Sequence, residues 1–246
     1  IFINKLSKKI EKEISNILID NLINFFSQLK LKSPIIADKL SPSRSLSIWH
    51  KTIMPHADNC LIIRESFVDL SQDYNSLKSH YRKSYKALIS KGYKLFNPYK
   101  LEESDSNVWG EFKALHFKAA GRKTRSDKSW DLLLQQVKVN KAHLYFCRDH
   151  NNIMVGGSLV MKTKHEAFYA IAAYNRDLFH LPIGHFLQDF IIKDLLNTQI
   201  QWYRLGRLFS KIDFDQPTDK EIQIGQFKSG FSSNLITSYR FTAFNL

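Results

Sequence analysis

The chain has 246 residues, of which 43 % are apolar and 24 % charged, a balance typical of globular proteins with a sizeable core. Lys and Arg number 36 against 23 Asp and Glu, which gives a formal net charge of +13. Such an excess favours polyanionic partners, namely nucleic acid, phosphorylated substrates or an anionic membrane surface. A Lys-rich proteome explains the charge equally well. The composition excludes bulk disorder, and the two cysteines exclude a disulfide framework.

Targeting signals are not visible in the sequence. No stretch approaches the ~18 apolar residues of a membrane span, and no signal peptide is seen. We therefore expect a cytoplasmic protein that contacts membranes at most peripherally, through anionic headgroups. The chain begins with Ile1 instead of Met, which is consistent with a truncated start.

The first segment of the chain contains one predicted helix and two predicted strands. Apolar residues at three- and four-residue steps predict a helix over residues 7–31, which Lys32-Ser33-Pro34 ends. Strand-like runs follow at Leu46–Thr52 and Leu61–Leu70, and a turn around Pro55 separates them.

A second helix is predicted over residues 72–91, with Gly92 as its C-cap. Basic residues recur along it at four-residue steps, so they would line one face. Such a face binds the phosphates of tRNA or of a nucleotide-sugar diphosphate, or is simply solvated. The candidates for binding phosphate or nucleic acid are Lys78, Arg82, Lys83 and Lys86.

From Tyr93 onward the predicted elements follow the order β-α-α-β-β-β-α-β-α-β. This is the order of the N-acetyltransferase (GNAT) fold, an α/β fold with a mixed, largely antiparallel central sheet. The predicted strands lie at 93–96, 142–147, 153–162, 166–174, 201–205 and within 233–243. The predicted helices lie at 101–119, 127–139 with Ser126 as N-cap, 183–196 and 218–229.

Three segments resemble FemABX-type transferases of the GNAT superfamily. The first is Val68-Asp69-Leu70-Ser71-Gln72-Asp73 with the basic helix from Ser79 to Lys86. The second, from His116 to Trp130, resembles the "GR-x-TRS…W" segment of FemAB-like proteins often associated with bacterial surface-polysaccharide synthesis. The third, from Lys220 to Phe231, resembles the closing "FK-x-GF" segment of the family.

The resemblance implies two GNAT-like halves: a partial N-terminal half at 1–92 and an acyltransferase domain at 93–246. It also implies transfer of an amino acid from aminoacyl-tRNA, or of a simpler acyl group, to an amine of a cell-wall or polysaccharide precursor. The acceptor would be a small, nucleotide-linked or lipid-linked amino sugar, and DNA is not expected as a partner. The chain lacks the helical hairpin that some members insert for tRNA contact, so aminoacyl-tRNA and acyl-CoA both stay open as donors.

The resemblance also points to site residues. Lys228 matches the C-terminal Lys that lies at the acyl-transfer site of the family, where it would stabilise a tetrahedral oxyanion. A plain alternative is a helix-terminal cation favoured by the helix dipole. Arg122 and Arg125, before a helix N-terminus, would bind a phosphate or carboxylate of the acceptor together with Trp130. The alternative is a solvated basic loop with Trp130 in the core.

The remaining candidates surround the loop before the 183–196 helix. In GNAT enzymes a Gly-rich loop binds the pyrophosphate of CoA at this position. Here the loop contains only Gly184, and Pro182 removes an N–H, so the match to an acetyl-CoA loop is poor. His185 and His116 are candidate bases, because histidine titrates near neutral pH, or are structural residues.

Two expectations complete the set of candidate residues. Tyr174, at the end of a central strand, would orient the acceptor. No His, Cys or carboxylate spacing suits a metal, so none is predicted.

Two other functions stay open. One is an acetyl-CoA-dependent N-acetyltransferase, and the other is a non-catalytic, RNA-binding GNAT-like module, which the net charge and the poor Gly loop favour.

Overall fold

A computed structural model describes residues 6–31, 34–37, 47–101 and 105–244. The chain divides into two compact units. Unit 1 consists of Ile1–Glu65, Arg207–Thr218 and Ile236–Leu246, and unit 2 of Ser66–Gly206 and Asp219–Leu235.

The helices and strands of the described residues are numbered in chain order. The helices are α1 (Lys8–Gln28), α2 (Ile48–Ile53), α3 (Tyr74–His80), α4 (Lys83–Leu95), α5 (Ser106–Ala120), α6 (Asp127–Lys138), α7 (Ile183–Leu196) and α8 (Asp219–Ser229). The strands are β1 (Ile35–Ala37), β2 (Ala57–Asp69), β3 (Asn97–Lys100), β4 (Ala142–Arg148), β5 (Met154–Lys162), β6 (Glu166–Tyr174), β7 (Trp202–Arg207) and β8 (Asn234–Phe244). Short 3₁₀ helices cover Met54–His56 and Arg176–Leu178.

Unit 1 contains α1, α2 and strand segments in the order β1-β8-β2. The predicted first helix is confirmed as α1, which begins after Ser7, whose side chain accepts a hydrogen bond from the Ile10 amide. The buried side chains of α1, Ile19 and Phe26, pack in one cluster with Ile53 of α2 and Phe241 of β8. The predicted helix stop at residues 32 and 33 lies outside the described residues.

The predicted strand at Leu46–Thr52 is wrong, because residues 48–53 form α2. A capping box begins this helix: the Ser47 side chain accepts from the His50 amide, and the His50 side chain accepts from the Ser47 amide. Local capping therefore overrides the alternating pattern that predicted a strand. The second strand prediction is confirmed by β2, which begins directly after the 3₁₀ helix that contains Pro55.

Unit 2 is an α/β structure built on strands in the order β7-β6-β5-β4-β3. The pairs β3–β4, β4–β5 and β5–β6 are antiparallel and β6–β7 is parallel, so the predicted mixed, largely antiparallel sheet is confirmed. The adjacent glycines of β5 face opposite helix layers. A Cβ on Gly156 would lie 2.6 Å from Ile183 of α7, and one on Gly157 would lie 2.7 Å from Phe112 of α5.

The predicted helix at 72–91 is two helices, so the prediction of one continuous basic face is wrong. Tyr81 has extended backbone and Arg82 is also non-helical between α3 and α4, and the Arg82 amide donates to the Gly230 carbonyl at 2.8 Å. Gly92 is not a C-cap, because α4 continues to Leu95. The predicted strand at 93–96 is likewise displaced to β3.

A buried carboxylate links α3 and α4 to α7. Asp189 of α7 is fully buried and accepts hydrogen bonds from the hydroxyls of Tyr74 at 2.8 Å and Tyr93 at 3.0 Å. The Lys193 ammonium lies 2.8 Å from the same carboxylate. Since a buried charge needs partners, these contacts fix the register of the three helices.

The element order predicted from Tyr93 onward is confirmed, apart from that shift of the first strand. Ser126 caps α6, as predicted, by accepting from the Ser129 amide. The predicted division into a partial N-terminal GNAT-like half at 1–92 and an acyltransferase domain at 93–246 stays a prediction.

Candidate functional site

The candidate site lies where two parallel strands of unit 2 stop pairing. The register of β6 and β7 runs from Glu166–Trp202 to Phe168–Arg204. Beyond that pair β6 continues to Tyr174 and β7 continues through Gly206. The unpaired ends therefore provide a gap in the sheet.

A β-bulge in β6 decides which side chains face this gap. Val160 pairs with Tyr169, but Leu159 pairs with Ile171, so Ala170 is an extra residue on β6. Tyr169 and Tyr174 are five residues apart, a separation that puts side chains of a regular strand on opposite faces. With the bulge both face the α7 layer, and their hydroxyl oxygens are 2.8 Å apart.

Lys228 of α8 reaches the gap. Its Nζ lies 5.5 Å from the ring centroid of Tyr169, a cation–π distance. Nζ would also lie 3.1 Å from a Cβ on Gly206, whose φ of +104° favours glycine. The structure thus brings the Lys228 ammonium to the parted ends of β6 and β7.

Tyr174 belongs to a hydroxyl network beside Lys228. Its hydroxyl contacts Tyr169 and the Ser158 hydroxyl of β5, the latter at 3.3 Å, and Ser158 is fully buried. Burial raises the pKa of the Tyr174 hydroxyl well above its ordinary value. Tyr174 therefore stays protonated and remains a hydrogen-bond donor.

His185 lies in an aromatic environment at the start of α7. Its ring is 4.5 Å from that of Tyr85 and 5.1 Å from that of Phe227, both in edge-to-face geometry. Burial, and to a smaller extent the charge of Arg82, lowers the pKa of His185 to about 4. The imidazole is therefore neutral at pH 7.

Two amides at the loop before α7 are already bonded within the chain. The Leu181 amide donates to Leu178, and the His185 amide donates to the carbonyl of Pro182. Gly184 packs closely, since a Cβ there would lie 3.2 Å from Phe227 and 3.5 Å from Tyr174. The glycine thus permits close packing of α7, α8 and β6.

Four other predicted residues lie on the opposite side of the sheet, in the layer of α5 and α6. Trp130 is a core residue, 5 % exposed, and the His116 ring packs against it edge to face at 5.1 Å. Burial and the nearby Arg125 lower the pKa of His116. Arg122 and Arg125 are exposed on the loop between the two helices. The structure does not bring this group together with Lys228.

The predicted basic residues of α3 and α4 separate into two kinds. Lys83 and Lys86 are exposed, and Lys78 lies 5.7 Å from the ring centroid of Tyr74. Arg82 instead caps the end of α8: its guanidinium donates to the Gln226 carbonyl at 2.9 Å. A cation is favoured at a helix C-terminus by the helix dipole.

Three residues of the site were missed by the sequence analysis: Ser158, Tyr169 and Gly206. Tyr169 and Gly206 depend on the bulge and on a positive φ, for which the sequence carries no local signal. Ser158 follows Gly156-Gly157, and that pair inside an apolar strand is a signal of close backbone packing.

The described residues contain no group of three or more His, Cys, Asp or Glu side chains placed to hold a metal, and the prediction of no metal stays a prediction. No described helix is both long and apolar enough to cross a membrane.

Comparisons with known proteins identify the fold. No protein-family model matches the sequence, and no curated protein does. The structure of FemX superposes with a TM-score of 0.71 over 94 % of this chain and 77 % of FemX, at 12 % identity. L-PGS from Bacillus licheniformis superposes with a TM-score of 0.55 over 77 % of this chain, at 13 % identity.

A third similar structure is the C-terminal domain of a putative lysylphosphatidylglycerol synthetase from Agrobacterium fabrum. Its TM-score is 0.54 over 75 % of this chain, at 15 % identity. The chain spans 61 % of that structure and 63 % of L-PGS, less than two thirds of each. The resemblance deduced from the three sequence segments is confirmed at the level of the fold: the chain has the GNAT-type fold of FemX.

Proposed function

We propose that the chain is an acyl- or aminoacyl-transferase that acts on an amine of an amino-sugar, polysaccharide or cell-wall precursor. The FemX-like fold supports the general activity. The resemblance of the His116–Trp130 segment to FemAB-like proteins of polysaccharide synthesis supports the acceptor class.

The position of Lys228 is the observation that carries this proposal. Acyl transfer to an amine builds negative charge on the carbonyl oxygen, and a preorganised cation beside that oxygen lowers the barrier. Lys228 holds its ammonium at the gap between β6 and β7, beside Tyr169 and Gly206. A donor carbonyl placed in this gap would meet the ammonium directly.

The proposed reaction is a direct displacement. The acceptor amine forms a bond to the donor carbonyl carbon, and the tetrahedral oxyanion is stabilised by Lys228. Collapse breaks the bond to the leaving oxygen or sulfur, to which the protonated Tyr174 hydroxyl donates a hydrogen bond. The neutral imidazole of His185 takes the amine proton transiently, its lowered pKa makes it release that proton again, and the proton ends on the leaving group. His116 lies in the other helix layer, so we assign this step to His185.

The donor that we favour is aminoacyl-tRNA. The amides of Leu181 and His185 are occupied within the loop and helix start, and Pro182 has no N–H, which weakens a pyrophosphate site. The exposed residues Lys83 and Lys86 would contact the tRNA backbone. Arg122 and Arg125 lie in the other layer, away from Lys228, so we assign them no part in this reaction.

The test compares Lys228→Ala with Lys220→Ala, an exposed lysine of the same helix. Transfer of a radiolabelled aminoacyl group from charged tRNA, or of acetyl from acetyl-CoA, to amino-sugar nucleotides is followed. Loss of an oxyanion donor lowers kcat by roughly 100- to 1000-fold. We expect that loss in Lys228→Ala with little change in KM, and wild-type rates in Lys220→Ala.

The outcomes separate the alternatives. Equal losses in kcat and in substrate affinity would remove Lys228 from the chemistry. Transfer from acetyl-CoA alone would establish an N-acetyltransferase. Tight RNA binding with no transfer from either donor would establish a non-catalytic module.

A further inference from the structure

A basic cleft in unit 1 is separate from the residues discussed so far. Its volume is about 480 Å³, and α1 lines one side while α2 and the following 3₁₀ helix line the other. The lining includes Lys8, Lys12 and Asn16 from α1, with Lys51, Pro55 and His56 opposite. The cleft has the size of a small-molecule site, since such sites occupy roughly 300–1,000 Å³.

The positive charges in this cleft repel one another when no ligand is bound. Lys8 and Lys12 are four residues apart on α1, and like charges at that spacing destabilise a helix. Glu11 in the same first turn offsets part of that cost, but it does not line the cleft. Lys8 is also in the first turn, where the positive end of the helix dipole disfavours a cation. No Asp or Glu is among the lining residues of the cleft. A bound anion would relieve each of these repulsions.

The neutral lining residues define the ligand more closely. Asn16 offers an amide at the end of the lysine row, and Pro55 and His56 each offer the face of a ring. Inorganic phosphate would fill a small part of about 480 Å³. A phosphate attached to a ring system suits both the charge and the remaining space.

We propose that this cleft binds the phosphate of a nucleotide, either as a free nucleotide or as part of an RNA strand. Lys8, Lys12 and Lys51 contact the phosphate oxygens, and the base lies against Pro55 and His56. This site does not rest on the proposed transferase activity, because it uses none of the residues of unit 2.

Binding of two probes to the full chain tests the proposal. Adenosine 5′-monophosphate is titrated by calorimetry, with adenosine as the probe that lacks phosphate. A short fluorescein-labelled single-stranded RNA is titrated by anisotropy at several salt concentrations. The double variant Lys12→Ala/Lys51→Ala is compared with Lys9→Ala/Lys211→Ala, which removes the same charge from exposed positions of unit 1 outside the cleft.

We expect the cleft variant to bind about 10- to 100-fold more weakly and the control variant to bind like the wild type, because charge-assisted bonds to phosphate are lost only in the former. Binding of the mononucleotide but not of adenosine would indicate a free-nucleotide site. Binding of the RNA alone, with a reduced salt slope in the cleft variant, would indicate an RNA site. Equal weakening in both variants, or no binding of either probe, would overturn the proposal. Unchanged thermal unfolding of both variants controls for folding.

Discussion

We predict that replacing Gly92 by Ala destabilises unit 2. Gly92 lies inside α4 at its crossing with α7, and a Cβ there would be 2.4 Å from Cβ and 2.9 Å from Cγ of Phe186. Carbon atoms in contact are normally about 3.5–4.0 Å apart. Phe186 cannot rotate its Cβ away, because that atom is fixed by the backbone. The two helices must therefore separate by about 1 Å.

The expected size of the effect follows from two opposing contributions. Overpacking in a core costs about 1–3 kcal/mol, and a contact with Cβ places this case near the upper end. The higher helix propensity of Ala offsets about 1 kcal/mol of that. We expect a net loss of about 2 kcal/mol, which lowers Tm by about 4–8 °C in a chain of this size.

Gly110→Ala is the matched control. Gly110 is also inside a helix, α5, but a Cβ there would meet nothing within 4 Å. This variant gains the helix propensity of Ala without a steric clash, so its Tm should rise by a few degrees. Differential scanning calorimetry of both variants measures the two shifts. If Gly92→Ala were as stable as Gly110→Ala, the close crossing of α4 and α7 would be refuted.

Two further predictions concern Arg82 and His185. Arg82→Ala should lower the unfolding free energy by about 1–2 kcal/mol in urea titrations, because it removes a partly screened bond to the last turn of α8. Lys83→Ala, at the neighbouring exposed position, should leave the unfolding free energy unchanged. Equal stability of the two variants would contradict the role of Arg82 as a cap of α8. Between pH 6.5 and 4 the unfolded chain binds a proton that the half-buried His185 does not bind, so the free energy of unfolding should fall by up to about 3 kcal/mol as the pH is lowered. His185→Gln should remove that part of the pH dependence and exposed His150→Gln should keep it; equal profiles would contradict the lowered pKa.

Local patterns were enough to predict most of unit 2. Strand-like runs predicted β4, β5 and β6, and the helix predicted at 183–196 has its observed bounds. The order of elements then led to the GNAT fold. These segments are long and strongly patterned, so the local signal agrees with the tertiary structure.

Long-range contacts explain the errors. The break between α3 and α4 contains no Pro or Gly, and it is fixed by the bond from the Arg82 amide to Gly230, which is remote in sequence. The run Leu46–Thr52 has a strand-like pattern, but Ser47 and His50 form a capping box that begins α2. A sequence pattern alone does not predict either hydrogen-bonded contact.

Some residues of the candidate site can be predicted from the sequence, and others depend on the tertiary structure. Lys228 and Tyr174 were found from the family resemblance and from the end of a strand, and they now lie in one place beside Tyr169. Trp130 was assigned to the acceptor, and its burial in the other layer supports the alternative role in the core. Which face a residue occupies depends on a single inserted residue, Ala170, and that insertion cannot be read from β6 itself.

Gly206 and Lys228 form a closely packed pair, and this packing gives the strand glycine a structural reason. Any side chain at position 206 would start 3.1 Å from the Lys228 ammonium and would have to adopt a φ of +104°, which costs an L-residue about 1–3 kcal/mol. The glycine therefore does two things at once: it allows β7 to turn at the end of its pairing with β6, and it leaves the space that the ammonium occupies. The parted strands and the lysine of α8 thus lie together at the proposed site, although no motif in the sequence connects them.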